Sequence, residues 1–354
     1  MESIVKLDLK PEQVREFNMT SACDEKVLDT FGVTIYESVY KQAMDALTPT
    51  LTTASTMTPV QFLQYIMPDP VRIVTADRAI DRILGRKIVG EWHDEEIVTP
   101  FVEGTSNTRP YGDTTTSPYA NFNINFEKRT VVRMESGIEV DQLEEARGSR
   151  FKINVAEEKR KAATLGMAIE MNRIGFNGFN NGANATYGLL NDPNLPNYVA
   201  VAVGAGGFTT WATKTFLEIV ADIKTAFQAL RTSSGNLINP QDVKTRLVVA
   251  SAVYEELGVV SQFGNSVMDW INKTYPKCEV SSAIEFDGAN GGNNVFYLFA
   301  EELDGQKVID QYVVQTFRLL GIARREKGYS EAYTNASAGV MLRIPAGLVR
   351  YTGV

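Results

Sequence analysis

The residue types that carry most enzyme chemistry are few in this sequence and lie far apart. The single histidine is His93, so any histidine-dependent triad would rest on it, and no serine lies within a G-x-S-x-G pattern. One histidine and two scattered cysteines, Cys23 and Cys278, do not suit an ordinary zinc site. We therefore expect neither a catalytic centre nor a metal centre in this chain.

Clusters of glycine and of charge give no firmer indication of a site. The glycine-rich stretches at 204–207 and 288–292 lack the strand-then-helix context of a dinucleotide site, and no G-x-x-x-x-G-K-[ST] phosphate loop is present. Adjacent acidic pairs recur, but neighbouring residues do not share a helix face and are typical of solvated surface. The basic cluster of Arg324, Arg325 and Lys327 fits salt bridges between subunits as well as phosphate contacts. The sequence thus predicts no cofactor and no enzyme activity.

Composition and charge restrict the class of protein further. The 354 residues exceed a typical single core, so we expect two domains or one domain with long extensions. The net charge of −8 disfavours a dedicated nucleic-acid binder, although a protein that merely encloses nucleic acid would fit. Because the sequence has two cysteines, no start typical of a signal peptide and no apolar run that could span a membrane, we expect a cytoplasmic protein without a membrane partner.

Residues 140–179 contain the longest helical pattern, and the other elements are arranged around it. The spacing predicts one helix from about Arg150 to Ile174, broken at Gly175 and Gly178 and roughly 35 Å long at ~1.5 Å per residue. We call it the spine helix. Its predicted packing stripe, suited to a broad flat surface, consists of Ala162, Leu165, Gly166 and Ile169.

A long two-stranded excursion between residues 91 and 140 precedes the spine helix. Period-two alternation predicts an outgoing strand and a returning strand that continues towards the helix. The alternating residues are Ile97, Thr99 and Phe101, then Phe122, Ile124 and Phe126, then Val132, Met134, Ser136, Ile138 and Val140. The stretch 103–120 between the strands is far longer than an ordinary hairpin loop. We therefore expect a hairpin that reaches out of the body and is ordered by a neighbouring subunit.

Residues 1–90 do not resemble a compact domain. An amphipathic helix is predicted at 34–47, and a tract rich in threonine and proline at 48–59 favours extended chain. Short elements joined by extended segments indicate an arm that lies on another surface, although a small N-terminal domain would also fit.

The second half alternates helices and strands without a regular βαβ repeat. A wide apolar face predicts a core helix at 211–231, capped by Thr209 or Thr210. Further helices are expected at 251–258 and 266–273. Strands are predicted at 246–250, 277–286, 295–300, 307–314, 317–325, 329–335 and 340–344, with a hairpin turn at Asp304-Gly305. This order favours an α+β fold rather than a doubly wound sheet.

Three stretches carry a resemblance to a known family. The segment 62–85 (FLQYIMPDPVRIVTADRAIDRILG) resembles the end of an N-terminal arm, and Tyr111-Gly112-Asp113 resembles a motif of an extended loop. The segment 187–195 (YGLLNDPNL) is similar to a motif that follows a spine helix. Together with the order of the elements, these stretches resemble the major capsid proteins of tailed bacteriophages, which have the HK97-like fold. The resemblance extends over residues 50–354, and none of its motifs is catalytic.

The resemblance implies an HK97-like α+β architecture with five parts. Residues 1–90 would form the N-terminal arm, 91–139 the extended β-hairpin loop (E-loop), 140–234 the peripheral domain with the spine helix, 235–315 the axial domain, and 316–354 strands that return to the peripheral domain. The expected contacts between subunits on the loop are Thr105, Arg109, Tyr111, Asp113, Tyr119, Phe122 and Lys128. The motif after the spine helix comprises Tyr187, Gly188, Leu189, Leu190, Asn191 and Pro193.

The function that the resemblance implies is assembly of a closed shell. We expect hexamers and pentamers of the chain to form the icosahedral head shell of a tailed phage, which encloses double-stranded DNA without sequence-specific binding. The implied partners also include portal, scaffold or decoration proteins, with assembly in the bacterial host cytoplasm and a final place in the virion capsid. Some relatives cross-link subunits through a loop lysine, but Lys128 has no evident partner motif here, so cross-linking is not the favoured interpretation.

Two other interpretations stay open at this point. The same fold could form an encapsulin-like nanocompartment, which particles without DNA and an inner groove for cargo peptides would indicate. A cytoplasmic enzyme with an unrecognised carboxylate site would instead be a soluble monomer or dimer with a concave acidic pocket. A tail-tube protein conflicts with the spine helix and the mixed α+β remainder.

Overall fold

The structure is a computed structural model that describes residues 78–112, 116–150, 153–180, 182 and 184–354. The predicted helix at 34–47, most of the predicted arm and most of the 62–85 segment lie outside the described residues. Everything described below belongs to the unit Pro68–Val354. In the described ranges no helix is both long enough and apolar enough to cross a membrane.

The spine is a long helix, α3 (Val155–Asn177), but it begins later than predicted. Its N-cap is Asn154, whose side chain accepts a hydrogen bond from the Glu157 amide and so satisfies one of the free donors at the helix start. A separate helix, α2 (Gln142–Arg150), precedes it, so the prediction that the spine begins at Arg150 was wrong.

The two glycines near the end of α3 have different roles. The predicted break at Gly175 was wrong, because this glycine is a helical residue against which Ile80 packs. A Cβ at Gly175 would lie 2.6 Å from Ile80, which belongs to a short helix, α1 (Ile80–Leu84). The predicted break at Gly178 is confirmed: its φ is 66°, a conformation that favours glycine, and its amide closes the helix on the Ile174 carbonyl.

The predicted packing stripe of α3 was wrong. Gly166 is exposed and Ile169 is 40% exposed, whereas the covered face is one residue further round the helix. The covered residues are Ala156, Ala163, Met167, Met171 and Ile174. Both stripes consist of small and aliphatic residues, so the helical period alone cannot indicate which of them faces the protein.

A four-stranded sheet covers that face of α3. Its order is β1 (Lys87–Ile88), β11 (Ile309–Arg325), β12 (Gly328–Leu342) and β4 (Val132–Asp141). β1 is parallel to β11, and the other pairs are antiparallel. The four strands predicted between 307 and 344 are parts of β11 and β12. Register shifts along this pair absorb the irregular residues that had suggested strand ends.

A five-stranded mixed sheet holds the larger core. Its order is β5 (Val199–Ala200), β13 (Leu348–Thr352), β8 (Val295–Ala300), β6 (Thr245–Ala250) and β7 (Cys278–Ala283). The strands predicted at 246–250 and 295–300 are confirmed. The strand predicted at 277–286 is shorter, because a 3-10 turn follows at Ile284–Phe286.

Helices α4 (Phe216–Ser233) and α5 (Val267–Thr274) accompany the five-stranded sheet. The apolar face of α4 is in the core as predicted, with Ile219, Ile223 and Leu230 fully buried. The expected cap at Thr209 or Thr210 was wrong, since Thr215 and Glu218 form a capping box at the start of α4. Short 3-10 segments occupy Trp211–Thr213 and Ser251–Gly258.

Two hairpins complete the described chain. The predicted Asp304-Gly305 turn joins β9 (Glu302–Leu303) to β10 (Gln306–Lys307), and both turn residues have positive φ, as a type I′ turn requires. The long hairpin pairs β2 (Glu96–Thr105) with β3 (Asn121–Thr130). Helices packed on one mixed and one mostly antiparallel sheet confirm the predicted α+β class.

Candidate assembly interface

The long hairpin has two different faces, which its register defines. Residues that pair directly across an antiparallel ladder have side chains on the same face. Val102 pairs with Ile124 and Pro100 with Phe126, so the apolar residues of the returning strand share an outer face with even-numbered residues of the outgoing strand. Ile97 and Phe101 lie on the opposite, inner face. They pack against a buried apolar cluster that includes Tyr312 and Val314 of β11 and Met341 of β12.

The outer face is exposed, and its large side chains are apolar from Val98 to Phe126. Each of its large apolar side chains has about half or more of its surface in contact with water: Val98 52%, Val102 65%, Phe122 60%, Ile124 48% and Phe126 64%. Monomeric proteins rarely expose a contiguous apolar strip of this kind, so the outer face is a candidate contact with another protein molecule.

The predicted contact residues of the loop occupy several positions on the hairpin. Phe122 is on the outer face, and Lys128 shares that face, where it forms an ion pair of 2.9 Å with Glu96. Thr105 closes the strands at the distal end by donating a hydrogen bond of 3.2 Å to the Asn121 carbonyl. The remaining three described residues are exposed in the connection between the strands, namely Arg109, Tyr111 and Tyr119. Asp113 lies outside the described residues.

The motif after the spine helix caps the end of α3. The last carbonyls of a helix have no partner within it, and after the Gly178 amide has bonded to the Ile174 carbonyl three remain at the end of α3. The amides of Leu189 and Leu190 donate to the carbonyls of Gly175 and Phe176, at 2.8 and 2.9 Å. The Asn191 side chain donates to the third carbonyl, that of Asn177, and accepts from the Gly188 amide, both at 2.7 Å.

The other motif residues serve this capping turn or the core beside it. Leu189 is fully buried in the larger core, Leu190 packs against that core, and Pro193 is exposed. The Tyr187 carbonyl accepts a hydrogen bond of 2.7 Å from the Val340 amide, which ties the turn to β12. The motif is therefore a structural junction between α3 and the four-stranded sheet.

Two charged residues, neither of them among the predicted site residues, link this junction to the hairpin. Arg129 of β3 is 2% exposed, and its guanidinium donates to the Asp192 carboxylate at 2.8 Å. It also forms an ion pair of 2.6 Å with Glu127 and lies 5.0 Å from the centre of the Tyr187 ring. Removing one partner of a buried ion pair typically costs about 3–5 kcal/mol.

Three groups donate hydrogen bonds to the buried Asp192 carboxylate. The amides of Asn194 and Leu342 donate to it at 2.8 and 3.3 Å, in addition to Arg129. Burial raises the pKa of Asp192 above its usual range, and the Asn194 hydrogen bond and Arg129 oppose that rise. The sequence signalled only one member of this pair: Asp192 lies within the quoted motif, whereas Arg129 continues the polar inner-face positions of β3 and carries no mark of its burial.

A second ion pair fastens α3 to β12. The Arg160 guanidinium donates to the Glu331 carboxylate at 2.9 Å, and the Tyr333 hydroxyl donates to the same carboxylate. Arg160 and Tyr333 stabilise the ionised form and lower the pKa of Glu331 to about 2.

Cys23 lies outside the described residues, and the two described candidates for chemistry, His93 and Cys278, are not assembled into a site. His93 is 72% exposed and lies near Glu91 and Asp94, at 3.4 and 3.7 Å. Burial raises the pKa of the Cys278 thiol to about 11, which keeps it in the unreactive protonated form. Within the described part of the chain no cluster of histidine, cysteine and acidic residues could hold a metal ion.

Solved structures with a similar fold include phage and particle capsids. A chain from the capsid of Myoviridae phage XM1 matches with a TM-score of 0.67 at 14% identity, covering 85% of this chain and 100% of that chain. The capsid of the native GTA particle gives 0.58 at 11% identity, over 87% and 99% of the two chains. Gordonia phage Cozz gives 0.54 at 11% identity, over 86% and 98%. The fold is therefore the α+β fold of HK97-like capsids.

The family of the chain follows from its sequence. Residues 49–353 match the model of the Pa193 gp26 major capsid protein family, and the chain belongs to that family. No curated protein matches it. The chain is a major capsid protein of a tailed-phage virion, a structural component of the icosahedral head shell and not an enzyme. This membership confirms the interpretation as a capsid protein and removes the enzyme and nanocompartment interpretations.

Proposed function

We propose that the β2–β3 hairpin is the extended loop with which each subunit overlaps an adjacent subunit of the shell. The observation that carries this proposal is the apolar outer face, exposed from Val98 to Phe126. The occupant of that face is a second copy of the chain, because a capsid protein is surrounded by further copies of itself. Burying the face between subunits removes its apolar side chains from water, which stabilises the contact by about 25 cal/mol for each Å² of apolar surface buried.

The two sheets correspond to the two domains of the proposed architecture. The four-stranded sheet with α3 is the peripheral domain, and the five-stranded sheet with α5 is the axial domain near the capsomer centre. Two observations move the proposed boundaries: α4 packs on the five-stranded sheet, and β13 pairs with β8. Segment 140–234 therefore contributes to both domains, and so does segment 316–354.

The assembled form we propose is a shell of hexamers and pentamers around double-stranded DNA. A subunit that occupies both ring types meets its neighbours at several angles, and an overlapping hairpin keeps its contact while those angles vary. The net charge of −8 favours a container that does not grip DNA, because like charges repel. Portal, scaffold and decoration proteins are the further partners of this proposal.

The proposal is tested by making the outer face polar. We expect the triple variant Phe122→Ser/Ile124→Ser/Phe126→Ser to fold but to reduce the number of closed shells by about tenfold or more. Each serine removes apolar area that the contact buries. Electron microscopy and sedimentation measure the shells, and circular dichroism measures the fold.

The matched control is the double variant Asn123→Ser/Asn125→Ser. Both asparagines are exposed on the same strand, but they lie on the opposite face of the hairpin. This control should assemble like the wild type. Normal shells from the triple variant would overturn the proposed role of the outer face.

A further inference from the structure

We propose that Arg129 is the positioning residue that sets the direction in which the hairpin leaves the body. This inference rests on the proposed overlap of the hairpin with a neighbouring subunit. Arg129 is the buried residue of β3 that lies nearest the far end of the hairpin. Asn121–Phe126 are all exposed, and Glu127 is half-buried. The direction of the hairpin is therefore decided at its root.

The length of the hairpin makes this direction important. The strand from Arg129 to Asn121 spans about 27 Å at ~3.4 Å per residue. A change of about 10° at the root moves the far end of the strand by about 5 Å, which is the spacing between neighbouring strands. An error of that size would carry the outer face past its contact on the next subunit.

The contacts of Arg129 are directional and come from both sides of the root. Glu127 and the Lys128 carbonyl belong to the hairpin strand, whereas Asp192 and the Tyr187 ring belong to the capping turn of α3. A guanidinium is a rigid planar fork, so bonds to both sides fix an angle between them. The inner-face contacts of Ile97 and Phe101 are apolar and do not impose an angle.

The turn that receives Arg129 is itself fixed to the body. Asp192 accepts from the Leu342 amide of β12, and Leu189 donates to the Gly175 carbonyl of α3. The hairpin is also held next to Arg129 by Thr130, whose carbonyl accepts from the Thr186 hydroxyl at 2.7 Å and whose hydroxyl accepts from the Ala185 amide at 3.1 Å. These bonds keep the strand attached to the body without Arg129. Loss of Arg129 should therefore change the angle at which the hairpin leaves the body but should not detach the strand.

The test measures the angle in single subunits. In a Cys23→Ser/Cys278→Ala background, fluorophores at Asn123→Cys on the hairpin and Lys224→Cys on α4 report their separation by single-molecule energy transfer. Picomolar concentration keeps the subunits apart. Arg129→Lys retains the charge but loses the planar fork, so we expect a broader and shifted transfer distribution with unchanged circular dichroism.

Two further variants complete the design. Tyr187→Leu removes the aromatic ring that faces the Arg129 guanidinium but keeps an apolar side chain there and leaves the ion pairs of Arg129 intact. It should also broaden the transfer distribution. Lys128→Gln changes the neighbouring residue on the outer face, whose ion pair is exposed, and should leave the distribution unchanged.

Assembly of the unlabelled variants separates this inference from the proposed overlap. Arg129→Lys should produce irregular particles in place of uniform shells, as seen by electron microscopy. An unchanged transfer distribution in both Arg129→Lys and Tyr187→Leu would overturn the role of Arg129. A changed distribution with uniform shells would support that role and contradict the overlap of the hairpin with a neighbour.

Discussion

Close backbone approach at the end of α3 explains the glycine of the capping turn. Gly188 does not need a left-handed conformation, but a Cβ there would overlap the backbone carbonyl of Phe176. The turn must come this close, because the Leu190 amide donates to that carbonyl. A single hydrogen atom in place of a side chain thus allows the helix end to be satisfied by its own downstream segment.

We expect Gly188→Ala to destabilise the subunit by about 1–3 kcal/mol, because the turn must move away from the helix end. The matched control is Gly166→Ala on the exposed side of α3, where an added Cβ meets nothing within 4 Å. This control should stabilise the subunit by about 0.5–1 kcal/mol, because alanine favours helix over glycine. Urea unfolding of unassembled subunits measures both changes. Equal effects at the two positions would contradict the steric explanation.

The attachment of α3 to β12 combines an apolar face with one strong polar bond. Met167 and Ala163 pack among Ile138, Val140 and Tyr333, and Arg160 reaches the buried carboxylate of Glu331 from the rim of this cluster. The apolar face holds the helix on the sheet, whereas the ion pair resists sliding along it.

The Glu331 attachment should depend on pH in a defined direction. Its pKa is lowered from 4.5 to about 2, so its stabilising contribution is complete above about pH 4.5 and is lost as the pH falls towards 2. We expect Glu331→Gln to lower stability at pH 7 by about 1–2 kcal/mol, after allowance for solvent around the half-exposed Arg160. The difference from wild type should shrink as the pH falls below 4.5.

Denaturant unfolding at a series of pH values measures this difference. The matched control is Glu170→Gln, which breaks an exposed ion pair with Arg173 on the same helix and should have little effect at any pH. A difference for Glu331→Gln that grows towards low pH would contradict the assigned pair.

Several surfaces of the whole subunit are more apolar than a solitary molecule requires. Besides the outer face of the hairpin, the far half of β11 exposes four large apolar side chains, and Phe263 is 91% exposed on the loop before α5. The four on β11 are Phe317, Leu319, Leu320 and Ile322. Large exposed apolar surfaces are typical of proteins that associate, which agrees with a capsid protein better than with a free monomer.

At this scale the prediction concerns the chain expressed alone. We expect purified protein to form capsomer rings or closed shells, because exposed apolar surface is removed from water when copies associate. Electron microscopy with light scattering measures the particles, and absorbance at 260 nm shows whether they contain nucleic acid. A monomer at every salt concentration and pH, even with the neighbouring phage gene products present, would contradict self-assembly through these surfaces.

The sequence by itself determined the features that depend on short-range pattern. Alternation located the hairpin strands, helical spacing located α4, and Gly178 marked the end of α3. Each of these follows from neighbouring residues, because backbone period and turn chemistry are local. The motif at 187–195 also indicated the family, although its capping role was not visible in the sequence.

Tertiary structure alone decided which faces are covered and which charges meet. The sequence could not distinguish the covered stripe of α3 from the exposed one, since both are small and aliphatic. It also could not pair Arg129 with Asp192, which are 63 residues apart. A buried ion pair forms only where distant segments exclude water around both charges, and that exclusion depends on how the sheets and α3 pack together.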